Sequence, residues 1–274
     1  LLGEGAFSEV HLARQTEPVP RPVALKILRA GLGDAAFASR LRDETRVLAR
    51  MSHPAVATVL DAGRTGEGLS YIAMEYVPGE PITRFADDAR LGLDERVRLV
   101  ELACDGVRHA HLKGLIHRDL KPANLLAHHG DDGRPRVKVI DFGIARMVEL
   151  ADAAGEAAGE AGAASSAPRP PIDRPWTGLS GTPAYMAPEQ ADTSDVDVRA
   201  DVFALGAVLH ELLTGAPPFG RPRAAVEPGE LAAWIAGRVA APPSEQPLDP
   251  AWRRELARDL DWIVARCLAP APAD

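Results

Sequence analysis

Leu115-Ile-His117-Arg-Asp119-Leu-Lys121-Pro-Ala-Asn124 and, thirteen residues on, Val137-Lys-Val-Ile140-Asp141-Phe-Gly143 decide how this chain is read. The first stretch offers, in close succession, a carboxylate that can act as base or acid (Asp119), a compact cation (Lys121) and an oxygen ligand (Asn124). Pro122 stiffens the loop that carries them. The second is a run of strand-forming residues ending on Asp141, followed by a glycine that permits an unusual backbone turn. An Asp at a strand end is a plausible Mg²⁺ ligand, and with Asn124 it supplies the few hard oxygens that ion accepts beside phosphates and water. A turn-forming role accounts for Asp141 as well, and a surface loop could collect such residues by chance.

Nearer the start of the chain, Gly3-Glu-Gly5-Ala-Phe-Ser8-Glu-Val10 places two glycines one residue apart between apolar residues. Backbone N–H groups of such a turn can approach a phosphate, although a plain β-turn explains the glycines too. Another strand, Val10–Ala13, comes next, so the segment reads as a hairpin lid and not as the helix start of a dinucleotide fold. Lys26 sits in the apolar strand Val23-Ala-Leu-Lys26-Ile-Leu28. In the next segment Phe37, Leu41, Glu44 and Leu48 recur on one helical face. Glu44 thus stands where a hydrophobe is expected, and a buried carboxylate needs a partner, for which Lys26 is the candidate.

The ordered series Gly3-x-Gly5-x-x-Ser8-x-Val10, Val23-Ala-Leu-Lys26, Glu44, His117-Arg-Asp119-x-Lys121-x-x-Asn124, Asp141-Phe-Gly143 and Ala187-Pro-Glu189 resembles the catalytic domain of eukaryotic-type (Hanks-type) protein kinases, over nearly the whole chain. Lys121-Pro-Ala-Asn124, the run Asp201-Val-Phe-Ala-Leu-Gly206 and Pro217-Pro-Phe219 resemble the bacterial serine/threonine members. The resemblance implies an α+β, two-lobed fold: a small, mostly β N-lobe with one key helix over 1–77, and a larger, mostly α C-lobe over 78–274, truncated at both ends. It implies an ATP-dependent serine/threonine protein kinase that phosphorylates its own activation loop. A pseudokinase scaffold and a small-molecule phosphotransferase of similar fold stay open as alternatives.

The same resemblance assigns roles. Leu2, Gly3, Gly5 and Ser8 cover the ATP phosphates, Ser8 standing where the family has a third glycine. Lys26 holds phosphates and is positioned by Glu44. Val10, Ala24 and Leu126 sandwich the adenine, Met74 guards the rear pocket, and the backbones of Glu75 and Val77 bond the adenine edge. Asp119 orients the acceptor hydroxyl, Lys121 neutralises the transferring group, and Asn124 and Asp141 hold Mg²⁺, with Mn²⁺ as the alternative ion. Thr182, in Gly181-Thr182-Pro-Ala-Tyr185-Met-Ala-Pro-Glu189, docks the peptide. Arg118 pairs with a phosphate on the activation segment 141–189, for which Thr177 and then Ser180 are the candidate sites. Ala123 stands where some kinases carry an acid that reads arginine, so a weaker preference for basic peptides is expected, with Glu80 able to supply some.

Composition bounds the rest. The chain has 274 residues and a formal charge of −8, which disfavours a general nucleic-acid binder. No apolar run approaches the ~18 residues of a membrane span. Of 31 basic residues only four are lysine: Lys26, Lys113, Lys121 and Lys138. Two of these fall in the motifs above; Lys113 and Lys138 read as solvated. Cys104 and Cys267 read as core thiols, the four tryptophans as packing residues, His117 as structural, and His109, His111, His128 and His129 as residues of a helix end and a loop and not a metal cluster. Residues 151–175, rich in Ala, Gly, Glu and Pro, read as a disordered insertion. Strands are predicted at Val10–Ala13, Val23–Leu28, Ala57–Asp61 and Leu69–Tyr76, and helices at about Asp34–Met51 and from an Asp94 cap to Gly114. The chain begins without Met and stops before a helix the family normally carries, and so reads as a piece of a cytoplasmic protein, tethered to a membrane, if at all, by segments outside it.

Overall fold

The computed structural model describes residues 1–5, 8–28, 51–142, 183–192, 196–220, 234, 240–246, 252 and 256–269. The helix expected over 34–50, with Glu44, lies outside them, as do Gly143, the 151–175 insertion, Thr177, Ser180 and Thr182. The chain divides into two compact units: Leu1–Ser52, Ala57–Val77 and Phe142–Gly178 in one, His53–Val56, Pro78–Asp141 and Leu179–Asp274 in the other.

The first unit is built on an antiparallel five-stranded sheet of β1 (Gly3–Glu4), β2 (Ser8–Gln15), β3 (Arg21–Leu28), β4 (Val59–Arg64) and β5 (Ser70–Glu75), in the order β1-β2-β3-β5-β4. Side chains alternate between faces of a strand, so every second residue shares an environment. In β3 the buried alternation takes Ala24, Lys26 and Leu28; in β5 it takes Ser70, Ile72 and Met74. The strands run longer than their apolar stretches, because Arg14, Gln15 and Arg21 extend the β2–β3 ladder beyond any core. Asp61 was expected to end β4; instead the strand runs to Arg64, with a bulge between Val59 and Asp61.

The second unit holds a small antiparallel sheet, β6 (Glu80–Pro81), β7 (Leu125–His129) and β8 (Pro135–Val139), and five α-helices among its described residues. These are α1 (Ile82–Asp88), α2 (Leu93–His111), α3 (Glu189–Asp192), α4 (Val198–Thr214) and α5 (Asp261–Cys267). β7 is a strand the sequence reading did not anticipate. Leu125, Ala127, Val137 and Val139 fill one face of β7–β8 and are buried; Leu126 and Lys138, paired across the strands, lie on the other.

α2 corrects the expected cap. Gly92, not Asp94, is the N-cap, and Glu95 reaches back to accept the Gly92 N–H at 2.9 Å, as in a capping box. The inward face is accordingly Leu93, Arg96, Leu99, Val100, Ala103, Gly106, Val107 and Ala110. Cys104 faces outward and is exposed, Cys267 is half-buried, and neither is a core thiol. Lys138, read as solvated, is half-buried in β8. Trp262 is 66% exposed, so it is not a packing residue, whereas Trp234 meets the edge of Phe219 and Trp252 lies over the Arg96 guanidinium.

Arg96 is a buried cation that binds four acceptors. It donates to the carbonyls of Leu91, Leu212 and Ala86 and to Asp87 Oδ1 at 2.7 Å, tying α1, α2 and α4 together. α4 is apolar nearly all round, capped by Asp197, whose carboxylate accepts the Arg199 N–H. Its Gly206 is required by close approach: a Cβ there would collide with Cys267 Cβ on α5. His210, also on α4, is buried with Nδ1 2.9 Å from the Ala216 carbonyl and Nε2 3.2 Å from that of Ala241. Burial pushes its pKa below the ordinary imidazole value, outweighing the two carbonyls that pull it up.

Candidate functional site

In the first unit, the strand register assembles the residues predicted to meet a nucleotide. Val10 stands opposite Lys26, Lys26 opposite Ile72, and Ala24 opposite Met74, so Val10, Ala24, Lys26 and Met74 share one face across three strands. Lys26 is 8% exposed there, an ammonium placed among apolar side chains. Such burial is costly without a partner, and the Glu44 proposed for it lies outside the described residues. β1 and β2 form the expected hairpin, closed by Leu2 N–H to the Val10 carbonyl at 2.7 Å and Gly5 N–H to the Ser8 carbonyl at 2.8 Å. A Cβ at Gly3 would meet nothing within 4 Å, and one at Gly5 only Ser8 at ordinary contact distance. Packing among the described residues therefore does not demand those glycines. At the end of β5, Glu75 spends its N–H on the Thr58 carbonyl, so what it can offer a base is its carbonyl; Val77, two residues on, is buried.

In the second unit, the loop from His117 to Asn124 is held by its own polar groups. Lys121 Nζ lies 2.7 Å from Asp119 Oδ2. The Asn124 amide donates to the Asp119 carbonyl at 2.7 Å and to its Oδ2 at 3.2 Å. Both partners are acceptors, which fixes the amide's orientation and leaves its oxygen for a cation. Asp119 Oδ1 is buried with no hydrogen-bond partner among the described residues. A buried carboxylate oxygen left unpaired is costly, and a hydrogen-bond donor would satisfy it.

Backbone contacts bring Asp141 to the same place. Ile140, the residue before it, donates its N–H to the Asn124 carbonyl at 2.9 Å and accepts at its own carbonyl from His117 Nε2 at 2.8 Å. His117 Nδ1 then accepts the Asp119 N–H at 3.3 Å, the arrangement in which Nε2 is the nitrogen that donates to the Ile140 carbonyl. Asp141 itself takes φ +64°, a left-handed conformation, and Arg118 takes φ +67°. Two non-glycine residues in that region within one loop cluster mark strain held by the surroundings. The donor set suits a hard divalent cation: one carboxylate and one amide oxygen, with no sulfur or imidazole among them.

Two residues at this site escaped the sequence reading of roles. Asp201 is fully buried on α4; its Oδ1 accepts the Arg118 N–H and its Oδ2 the His117 N–H, both at 2.8 Å, and His111 Nε2 lies 2.7 Å from Oδ2. The signal was a carboxylate in a helix apolar on all sides. Gln190 donates to the Arg118 carbonyl at 2.7 Å and accepts the Ala187 N–H at 3.1 Å, joining the Ala187-Pro-Glu189 segment to the loop. In the same segment Tyr185 donates its hydroxyl to Glu211. His109 stacks on His53 and His129 tilts against Phe85, and no cluster of three or more metal-ligating side chains of the His, Cys, Asp and Glu types occurs among the described residues.

Comparison with known proteins places this arrangement. The family model of the protein kinase domain matches residues 1–274. The serine/threonine-protein kinase PknB of Mycobacterium tuberculosis is 37% identical over 99% of the chain, and RqkA of Deinococcus radiodurans, named a DNA damage-responsive serine/threonine-protein kinase, is 36% identical over 97%. The chain spans 39% of the length of the former and 36% of the latter. Among solved structures, the PknI kinase domain of M. tuberculosis is similar with a TM-score of 0.61 at 32% identity, covering 99% of this chain and 86% of that one.

Proposed function

The chain belongs to the protein kinase domain family, and on that basis we propose that it transfers the γ-phosphoryl group of ATP to serine or threonine hydroxyls of proteins, its own activation segment included. The observation that carries this reading is the Asp119 carboxylate, with Oδ2 held by Lys121 and Asn124 and Oδ1 buried without a partner among the described residues.

In this reading the acceptor hydroxyl donates to Asp119 Oδ1, which orients its oxygen at the γ-phosphorus and takes its proton as the new P–O bond forms. The bond from the γ-phosphorus to the bridging oxygen breaks and ADP leaves. Lys121, already beside Oδ2, neutralises the transferring group. Lys26 holds phosphates; Val10, Ala24 and Leu126 enclose the adenine, Met74 backs it, and the Glu75 carbonyl and Val77 backbone bond its edge. Leu2, Gly3, Gly5 and Ser8 cover the phosphates, where glycines that packing among the described residues does not require would let a ligand approach. Asn124 and Asp141 would hold Mg²⁺, or Mn²⁺ in its place. Bound there, the ion supplies charge neutralisation on the phosphate oxygens. Glu44 would position Lys26, Thr182 would dock the peptide, and Thr177 and Ser180 are the proposed phosphorylation sites, with Arg118 as the partner of that phosphate. The domain would act in the cytoplasm, where ATP is supplied. No helix among the described residues is long and apolar enough to cross a membrane.

The test is transfer of radiolabelled phosphate from ATP to a generic protein substrate and to the chain itself. The expected result is transfer that Asp119→Asn reduces at least about 10³-fold, because an amide cannot take the hydroxyl proton. Transfer that survives this change would remove Asp119 from the proposed role, and labelled ATP bound without any transfer would favour the scaffold reading.

A further inference from the structure

A carboxylate beside the phosphotransfer loop is a natural reader of basic residues in a substrate, and Glu80 is so placed. It opens β6, pairs with Ala127 on β7, and belongs to the strand that packs on the turn Pro122–Asn124. Ala123, exposed in that turn between Lys121 and Asn124, contributes no charge. Whether this surface attracts arginine therefore depends on what already occupies the Glu80 carboxylate.

Arg84 occupies it. One helical turn along α1, its Nε lies 3.2 Å from Glu80 Oε2 and 3.3 Å from Asp88 Oδ2. The other acids nearby are engaged in the same way. Asp87 pairs with Arg96 at 2.7 Å, Glu211 accepts the Tyr185 hydroxyl, and Asp119 pairs with Lys121. A cavity of about 280 Å³ lined by Arg84, Asp87, Asp88, Arg96 and Glu211 thus contains two guanidinium groups of the chain's own beside its three carboxylates. An exposed pair such as Glu80–Arg84 adds little to stability. It still cancels the local field that would draw in a substrate cation, and it makes an incoming arginine compete with a tethered one.

We propose that Arg84 is a specificity residue: by neutralising Glu80 beside the transfer loop, and Asp88 one turn further along α1, it lets the domain select acceptor segments without requiring arginine or lysine next to the acceptor. This rests on the kinase reading above and deepens it to a substrate class, segments that are neutral around the Ser or Thr.

The experiment is a positional peptide library around a central Ser/Thr, with Arg, Ala or Glu placed in turn at each flanking position. It is phosphorylated by the unaltered chain and by Arg84→Gln and Arg84→Glu. Arg84 is 71% exposed, so neither change threatens folding. For the unaltered chain, kcat/KM with Arg is expected within about threefold of that with Ala at every position, and Arg84→Glu is expected to raise the Arg-to-Ala ratio about tenfold at one or more positions, with Arg84→Gln between the two. A strong Arg requirement in the unaltered chain, or ratios that Arg84→Glu does not move, would overturn the proposal while leaving the kinase reading intact. No transfer to any peptide would sink both.

Discussion

Asp201 shows how much of the site rests on one side chain that touches no substrate. Its two oxygens hold the N–H groups of His117 and Arg118, which fix the left-handed turn at Arg118 and hence the direction of Asp119. In Asp201→Asn, an NH₂ group must replace an oxygen that faces either the Arg118 N–H or the His117 N–H, and two donors then meet. The expected outcome is a fall in kcat of about 10²-fold, the scale of an ångström's misplacement of a reacting group. Nucleotide affinity, for which most of the proposed contacts lie on the strands of the other unit, should stay within about threefold on the same estimate. Single-turnover rates and ATP titration of the variant would check both halves. Candidate residues were legible one by one. Lys26, Asp119, Lys121, Asn124 and Asp141 announce themselves as polar groups where sequence context predicts apolar or turn residues. Asp201 was quoted as part of a motif without its role, because which backbone amides a buried carboxylate serves depends on contacts more than eighty residues away in sequence.

Among the elements, α4 combines two buried polar groups. It carries Asp201 at one end and His210 toward the other, and the neutral His210 imidazole can donate to only one of the two carbonyls it faces. Burial lowers the folded-state pKa below the unfolded value near 6.5, so the unfolded chain binds the proton more readily. The stability this group confers is present above pH 6.5 and declines as pH falls below it. The expected result is a melting temperature that drops between about pH 6.5 and 5, with a smaller drop in His210→Asn. Equal slopes in the two proteins would remove His210 as the cause. The strands were legible because period-two burial in β3 and β5 leaves a trace in composition. α2 was placed correctly in extent but capped by the wrong residue: Asp94 looks like an N-cap by type, while the backbone turns helical earlier and Glu95 satisfies the exposed amide. β7 went unread because Leu125–His129 is short and ends on two histidines, and only pairing with β8 makes it a strand.

The molecule as a whole carries the strand residues proposed to face a nucleotide in one compact unit, and the proposed transfer loop, with Leu126, in the other. That division separates binding from chemistry in a way a melting curve can read. ATP with Mg²⁺ at 100 times its dissociation constant should stabilise the chain by about 2.7 kcal/mol. Asp119→Asn is expected to keep most of that stabilisation, and Lys26→Ala to lose most of it. A Lys26→Ala chain that still responds fully to ATP would remove Lys26 from phosphate binding. The two-unit organisation was legible from the change at Val77–Gly79 between strand-rich and helix-rich sequence. The partition of short stretches was not: His53–Val56 joins the second unit through the Val139 N–H to the Ala55 carbonyl, a contact with no local signature. Gly206 has a consequence for how tolerance to change is interpreted. Because α5 presses its Cys267 into the place a side chain would occupy, this position resists replacement as firmly as Asp119 does, for reasons of space alone. A survey of which positions fail to tolerate change would rank the two together. Only the state of the failed protein would distinguish them: an Asp119 variant is expected to be a folded chain impaired in the proposed transfer, and a Gly206 variant a chain whose two helices no longer fit.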